Sequence, residues 1–289
     1  MKVWITGAGG MLGKDLVKVF KKAGHTVMAT DRHAIDIADT ASIDAVVESF
    51  LLAGGPDVIV NAAAYNAVDL AEDEDGYKMA MAINVDGVRN LAQIATVIGA
   101  RFVHYSTDYV FSGTKGAPYL ESDTTDPISK YGESKALGEK AAQEACANAL
   151  IFRVSKLFGA QGKSASAKRS FVDIMLQKAK AGEALTIVDD EIGCPTYTPH
   201  IAEATLAALD RNYNPGIYHM VSEGEGVTWY QFAKEIFEVA GLKPQMTPVS
   251  GDAFPRKAKR PHAAVLKNTK LPALPSRMDA LRAYIDSLA

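Results

Sequence analysis

The chain has 289 residues, 48% of them hydrophobic and 22% charged, and carries a formal net charge of −3. Length and apolar content suffice for a full core in one large domain, or one large and one small, and exclude a disordered, tail-like protein. The weak charge excludes a global basic field for nucleic acid or an anionic membrane, so an anionic ligand must be held by local groups.

Two cysteines, Cys146 and Cys194, lack both CxxC spacing and a nearby His cluster, which predicts no disulfide framework, no zinc site and a reducing compartment. No metal is expected: the acidic run Glu72-Asp-Glu-Asp75 suits a divalent ion less well than it suits the positive end of the following helix. Met1-Lys2 leads straight into an apolar run, without the n-region and h-region of a signal peptide. No apolar run approaches the roughly 20 residues needed to span a bilayer. A soluble, cytoplasmic protein is expected.

In chain order, residues 2–6, 26–30, 57–61, 101–106 and 149–154 read as buried strands. Between them Leu12 to Ala23, Ala41 to Leu52, Tyr77 to Ile98 and Tyr131 to Ala147 carry apolar residues at helical spacing. Such alternation predicts an α/β fold, a Rossmann-type doubly wound parallel sheet. After about residue 155 the rhythm weakens. A polar loop of small residues, 159–168, is long enough to move or to close over a ligand. Helices follow at Phe171 to Ala181, His200 to Leu209, Trp229 to Ala240 and Ser276 to Leu288, with six prolines from Pro244 to Pro275 punctuating the last stretch. The expected division is a dinucleotide-binding domain over 1–155, with a return around 190–219, and a smaller C-terminal substrate lobe within 156–289.

The first strand runs into Gly7-Ala-Gly-Gly-Met-Leu-Gly13. Gly7 permits a tight turn, Gly10 a close approach to pyrophosphate and Gly13 close packing of helix on strand, with helix amides facing the anion. The second strand ends at Asp31, where a carboxylate accepts hydrogen bonds from ribose hydroxyls. Asp31 disfavours a 2′-phosphate and Arg32 offsets its charge, which leaves NADH or NADPH as cofactor. Asp36-Ile37 reads equally as the adenine end of this site and as a helix-capping turn.

Tyr131-Gly-Glu-Ser-Lys135 places a phenol and an ammonium on one face of a helix start. An adjacent cation lowers a phenol's pKa from about 10, so Lys135 is expected to make the Tyr131 proton available. Thr107 and Asp108 end the fourth strand, where open α/β sheets bind ligands; Thr107 is expected to assist Tyr131 at the reacting oxygen. For Asp108, substrate ligand and loop cap stand level. The expected reaction is hydride transfer to a carbonyl carbon with protonation by Tyr131, while Lys135 anchors the nicotinamide ribose. His104 and His219, on apolar strands, read as core residues, and Trp229 with Tyr230 as core rather than stacking platform.

Further landmarks are Asp57-Val-Ile-Val-Asn-Ala-Ala-Ala64, Ala67-Val-Asp-Leu-Ala-Glu72, Ser106-Thr-Asp-Tyr-Val-Phe111, Gly193-Cys-Pro-Thr196, Gly216-Ile-Tyr-His219, Arg260-Pro261 and Leu281-Arg-Ala-Tyr284. With the glycine loop and the Tyr-Lys pair they resemble extended short-chain dehydrogenases, and within them the dTDP-4-dehydrorhamnose reductase family, over nearly the whole chain. The resemblance implies NAD(P)H-dependent reduction of the C4 keto group of dTDP-4-dehydro-L-rhamnose for cell-surface polysaccharide synthesis. It implies a nucleotide-diphosphate sugar as substrate, no nucleic-acid or membrane partner, and leaves a homodimer open. It places Gly10, Met11, Leu12, Asp31, Asp36, Ile37, Ala64, Tyr65 and Asn66 at the dinucleotide, with Ala63 beside them, and Thr107 and Asp108 at the sugar.

Three departures from the family pattern are Lys156 where a Trp usually faces the sugar, Asn66 for a Thr and Glu191 for a Gln. Lys156 opens an alternative, reduction of another nucleotide-linked 4-keto-6-deoxy sugar. Lys156 and Arg260 are the foremost candidate substrate cations, ahead of Lys163, Lys168, Arg169, Arg256, Lys257 and Lys259. A dinucleotide-binding regulatory subunit is a further alternative, against which Thr107, Tyr131 and Lys135 stand together. An epimerase or dehydratase expects an Asp-Glu pair where this chain has Asp108-Tyr109.

Overall fold

The computed structural model describes residues 1–51, 54–164 and 168–288. Its first half alternates strand and helix: β1 (Lys2–Thr6), α1 (Met11–Lys22), β2 (Thr26–Thr30), α2 (Thr40–Leu51), β3 (Val58–Asn61), α3 (Glu74–Met81), α4 (Gly87–Val97), β4 (Arg101–Thr107), α5 (Lys130–Ala145) and β5 (Ala149–Val154). The second half runs β6 (Leu157–Phe158), α6 (Phe171–Lys180), β7 (Leu185–Val188), β8 (Thr196–Tyr197), α7 (Thr198–Asp210), β9 (Gly216–His219), β10 (Ser222–Glu223), α8 (Trp229–Ala240), β11 (Met246–Val249), β12 (Leu274–Ser276) and α9 (Arg277–Asp286). The expected Leu52 end of the second helix and residues 165–167 of the polar loop lie outside the described residues.

Six parallel strands form one sheet in the order β2-β1-β3-β4-β5-β9. This bears out the doubly wound reading. Alternation along each strand divides its side chains between two cores. Val3 and Ile5 of β1 pack with Leu16 and Phe20 of α1 and Ile201 of α7, while Trp4 points to the opposite face, against Leu91 and Ala95 of α4. Each fully buried side chain of this kind contributes about 1.5–3 kcal/mol. The strand order reverses between β1 and β3, and a crevice opens at such a switch point beyond the carboxyl ends of the strands.

The helix expected over Tyr77 to Ile98 is broken. A π-helical turn, Ala82–Asp86, separates α3 from α4. Asn84, buried inside that turn, uses its amide to accept from the Tyr65 N–H at 2.9 Å and to donate to the Tyr65 carbonyl at 3.1 Å and the Ser134 hydroxyl at 2.9 Å. These bonds hold the extra residue of the turn, as in other π-bulges.

Beyond β5 a third core gathers Phe158, Val172, Leu185, Phe232, Phe237, Leu281 and Tyr284 among α6, α8 and α9. Three two-stranded parallel pairs, β6 with β8, β7 with β11 and β10 with β12, stitch this region together. Side-chain caps start its helices, with full capping boxes at Ser170 and Asp173 of α6 and at Thr228 and Gln231 of α8.

Candidate active site

The glycine turn is shaped by sterics. Gly7 has φ +67°, and a Cβ there would lie 2.4 Å from the Ala63 nitrogen, so the turns after β1 and β3 meet at the switch point only because residue 7 has no side chain. Helix α1 begins at Met11 without a side-chain cap, leaving first-turn amides for an anion. Asp31 accepts from the His33 N–H at 3.0 Å with one carboxylate oxygen, and the other oxygen faces Gly9. This donor and acceptor set fits a dinucleotide. Arg32 is exposed beside it.

Asp36 and Asp39 each accept from the backbone N–H two residues on, at 2.9 and 3.0 Å, which is the capping geometry; Ile37 is buried against Gly87. Ala63 and Tyr65 are pinned through their amides by Asn61 and Asn84, with Ala64 between them. The described part of the polar loop packs on the glycine turn. Amides of Lys163 and Ser164 donate to the Gly9 carbonyl at 2.8 and 3.0 Å, and the Lys14 ammonium donates to the Ala160 carbonyl at 2.7 Å.

At the carboxyl end of β4, the Thr107 hydroxyl donates to Asp108 at 2.9 Å, and its oxygen accepts from the Tyr109 N–H at 3.2 Å. The second Asp108 oxygen accepts from Ser155 at 2.6 Å. Asp108 is buried, and that burial raises its pKa against the lowering effects of Ser155, Thr107 and Lys156. The carboxylate therefore organises Thr107 and Ser155 rather than facing open space.

Tyr131 enters on the first turn of α5, capped by Ser129, which accepts from the Gly132 N–H at 3.1 Å. A Cβ on Gly132 would lie 2.2 Å from the Tyr109 carbonyl oxygen, so glycine in Tyr-Gly-Glu-Ser-Lys lets this turn approach the segment after β4. The Tyr131 phenol donates to Asn66 at 3.4 Å, and its ring meets Tyr109 edge-on. One turn on, the buried Lys135 ammonium donates to the Tyr105 carbonyl at 2.7 Å.

The expected lowering of the phenol's pKa by Lys135 is not what this geometry gives. Burial and the Asp108 charge raise the Tyr131 pKa, with Thr107 opposing, and burial lowers Lys135 to about 8 against the pull of Glu139. A raised phenol pKa keeps Tyr131 protonated at neutrality, which is the state needed to give a proton to a developing alkoxide.

Lys156 follows β5 with φ +44°, a strained conformation for a residue with a side chain. Its ammonium lies 4.1 Å from the Trp229 ring centroid and donates to the Glu191 carbonyl at 2.6 Å; burial lowers its pKa to about 8. Trp229 accordingly meets Lys156 as well as the C-terminal core, and its indole N–H donates to Glu191 at 3.3 Å. Arg260 is engaged elsewhere: its guanidinium holds Asp69 through two 2.7 Å bonds and depresses that carboxyl to about 2. Arg256 pairs with Glu191, and Lys257 with Asp73 at 2.7 Å.

Sequence reading passed over Asn61, Asn84, Glu139 and Ser155, which hold the site together from beneath. Asn84 carried one signal: an amide inside a helical pattern favours non-helical hydrogen bonding. His104 and His219 are fully buried, and both cysteines are free and buried. Among the described residues no helix is long and apolar enough to cross a membrane.

Comparison with known proteins matches residues 1–288 to a family model described as the RmlD substrate binding domain. The chain is 37% identical over 288 residues to the spore coat polysaccharide biosynthesis protein SpsK of Bacillus subtilis, covering 98% of this chain and 96% of that one. It is 38% identical to a dTDP-4-dehydrorhamnose reductase of Burkholderia thailandensis, over 94% of this chain and 92% of the relative. Identity is 37% to a dTDP-4-keto-6-deoxy-D-glucose reductase of Streptomyces niveus, over 91% and 87%. A dTDP-4-dehydrorhamnose reductase of Bacillus anthracis, solved in complex with NADP, superposes with a TM-score of 0.90 at 32% identity, over 99% of this chain and 100% of the other.

Proposed function

The chain belongs to the RmlD substrate binding domain family, and three of the four relatives compared are named as reductases; on that premise we propose that it reduces the C4 keto group of dTDP-4-dehydro-L-rhamnose with NADPH or NADH. One observation carries the chemistry: the Thr107 side chain at the carboxyl end of β4 reaches the Tyr131 phenol, with Lys135 one helical turn behind it. The bound cofactor supplies a hydride to the carbonyl carbon.

Everything else falls to this chain's own groups. Gly7, Gly10 and Gly13 with the Met11 and Leu12 amides hold the pyrophosphate, Asp31 and Arg32 the adenosine ribose, and Asp36, Ile37 and residues 63–66 the flanks. Lys135 holds the nicotinamide ribose. Tyr131 turns its O–H from Asn66 to the substrate oxygen and protonates it as charge develops, and Thr107 turns its single O–H from Asp108 to donate a second hydrogen bond to that oxygen. Asp108 positions Thr107 and is neutralised in part by Lys156. Arg260 meets the diphosphate by exchanging its Asp69 partner for a phosphate.

The product serves cell-surface polysaccharide synthesis, a role supported by the name of the Bacillus subtilis relative, and the reaction runs in the cytoplasm. A second reading, reduction of another nucleotide-linked 4-keto-6-deoxy sugar, is favoured by Lys156 in the sugar wall and by the Streptomyces niveus relative. The test is a panel of dTDP-4-keto sugars assayed with both reduced cofactors, for the wild type and Tyr131→Phe. The proposal expects stoichiometric consumption of NAD(P)H with the rhamnose precursor and about a 10²–10⁴-fold lower kcat in the variant. Turnover of another sugar alone would move the assignment to the second reading. Full activity in Tyr131→Phe would remove the catalytic assignment.

A further inference from the structure

A buried row of polar groups crosses the sheet beneath the cofactor turn and ends at Lys135. On β1 the Thr6 hydroxyl donates to Asn61 Oδ1 at 2.8 Å, and that oxygen also accepts the Ala63 N–H at 3.0 Å. On β3 the Asn61 Nδ2 lies 3.2 Å from His104 Nδ1. On β4 the His104 Nε2 lies 3.4 Å from Lys135 Nζ. Thr6, Asn61 and His104 are fully enclosed and Lys135 nearly so.

The backbone settles where the protons are. The Ala63 N–H can only donate, so the Asn61 oxygen faces it and the amide NH2 faces His104. An amide NH2 has no lone pair, so Nδ1 must accept and the single proton of the neutral ring sits on Nε2. Complete burial holds His104 well below its ordinary pKa, which keeps the ring neutral. The Nε2–H therefore points at an ammonium that has three donors and no acceptor.

We propose that His104 is a positioning residue: held by Asn61 with its proton on Nε2, it denies Lys135 an acceptor and turns the ammonium's donors toward the Tyr105 carbonyl and the nicotinamide ribose. This rests on the assignment of Lys135 to that ribose. The other groups around the lysine are Tyr131 and Glu139 on α5, the latter paired with Arg153 of β5, and Ser134 bonded to Asn84. Glu139 is the one that favours the charged lysine. His104 is the neighbour whose effect reverses with the position of one proton.

Long-range ¹H–¹⁵N correlation spectra of the six imidazoles read that proton directly in the wild type, with His104→Gln supplying the assignment. The expected result is an unprotonated Nδ1 and a protonated Nε2; the opposite pattern overturns the proposal whether or not the substrate assignment is right. Asn61→Asp places a carboxylate before Nδ1, draws the ring proton there and makes Nε2 an acceptor for Lys135. NADPH affinity measured by calorimetry should then weaken about tenfold, the effect of diverting one charged hydrogen bond. ADP, which lacks the nicotinamide ribose, should change less than about twofold, which separates this effect from simple charge repulsion. Equal losses for both ligands, or none for NADPH, would overturn the proposal. If Asn61→Asp does not fold, His104→Gln, whose amide oxygen can accept from Lys135, is titrated under the same criterion. A failed reductase assay with a positive result here would refute the substrate reading alone.

Discussion

Replacing Arg153 by Met should be among the most damaging single changes outside the catalytic groups. Arg153 and Glu139 are joined by two hydrogen bonds of 2.8 and 2.7 Å, with side chains only 2% and 4% exposed. The guanidinium also lies 4.9 Å from the Phe111 ring centroid and 3.5 Å from His219 Nε2. At an effective dielectric of about 20, unit charges about 4 Å apart attract by about 4 kcal/mol. Removing one partner of a buried pair costs about 3–5 kcal/mol, because the other is left without compensation. Urea unfolding of Arg153→Met should show that loss, and thermal unfolding a midpoint roughly 6–20 °C lower. Arg153→Met combined with Glu139→Met should recover most of it, since two apolar groups of similar volume avoid both desolvation costs. A single variant within about 1 kcal/mol of wild type would refute the reasoning, as would a double variant no better than the single.

Two further outcomes follow from titration and packing. Lys156 loses its proton as pH rises through about 8, so the KM for the nucleotide sugar should climb between pH 7 and 9 in the wild type and stay flat in Lys156→Met. A parallel rise in the variant would assign the effect to another group. Asp15 accepts from the Thr198 hydroxyl at 2.6 Å, yet burial raises its pKa above the unfolded value. The native state therefore binds that proton more tightly, and ionised Asp15 weighs against folding at neutral pH. Asp15→Asn, which keeps an acceptor for Thr198, should equal or exceed wild-type stability at pH 7, with the advantage shrinking as pH falls toward 4; urea midpoints at both pH values check this.

The first half of the fold was legible because fully buried parallel strands such as Val58–Asn61 and Ala149–Val154 are nearly continuous apolar runs, each with one polar residue, Asn61 and Arg153, and their helices carry clear apolar faces. The strands β6, β8 and β10, of two residues each, are too short to carry a period, and no local signal marked them. At the site, Tyr131 and Lys135 were visible through their spacing within α5, and Thr107 through its place at the carboxyl end of β4. The partners Asn61, Ser155 and Glu139 were not, because their bonds join residues far apart in the chain. The Arg260 ion pair with Asp69 was hidden for the same reason: it spans 191 positions.

The π-helical turn at Ala82–Asp86 also bears on how this chain tolerates length changes. Such a turn holds one residue more than an α-helix needs. Deleting a residue from it would leave an unbroken helix and keep its hydrogen-bond ladder, so a purely local view calls the deletion harmless. The wide turn already absorbs that residue, whereas the same deletion within α4 would rotate everything beyond it by about 100° about the helix axis. Leu91, Ala92 and Ala95 would keep their places on the sheet, while loss of Asn84 itself would remove the amide that clamps Tyr65. The irregular turn thus lets one added residue carry Asn84 to the cofactor loop without changing the phase of the helix that covers the sheet.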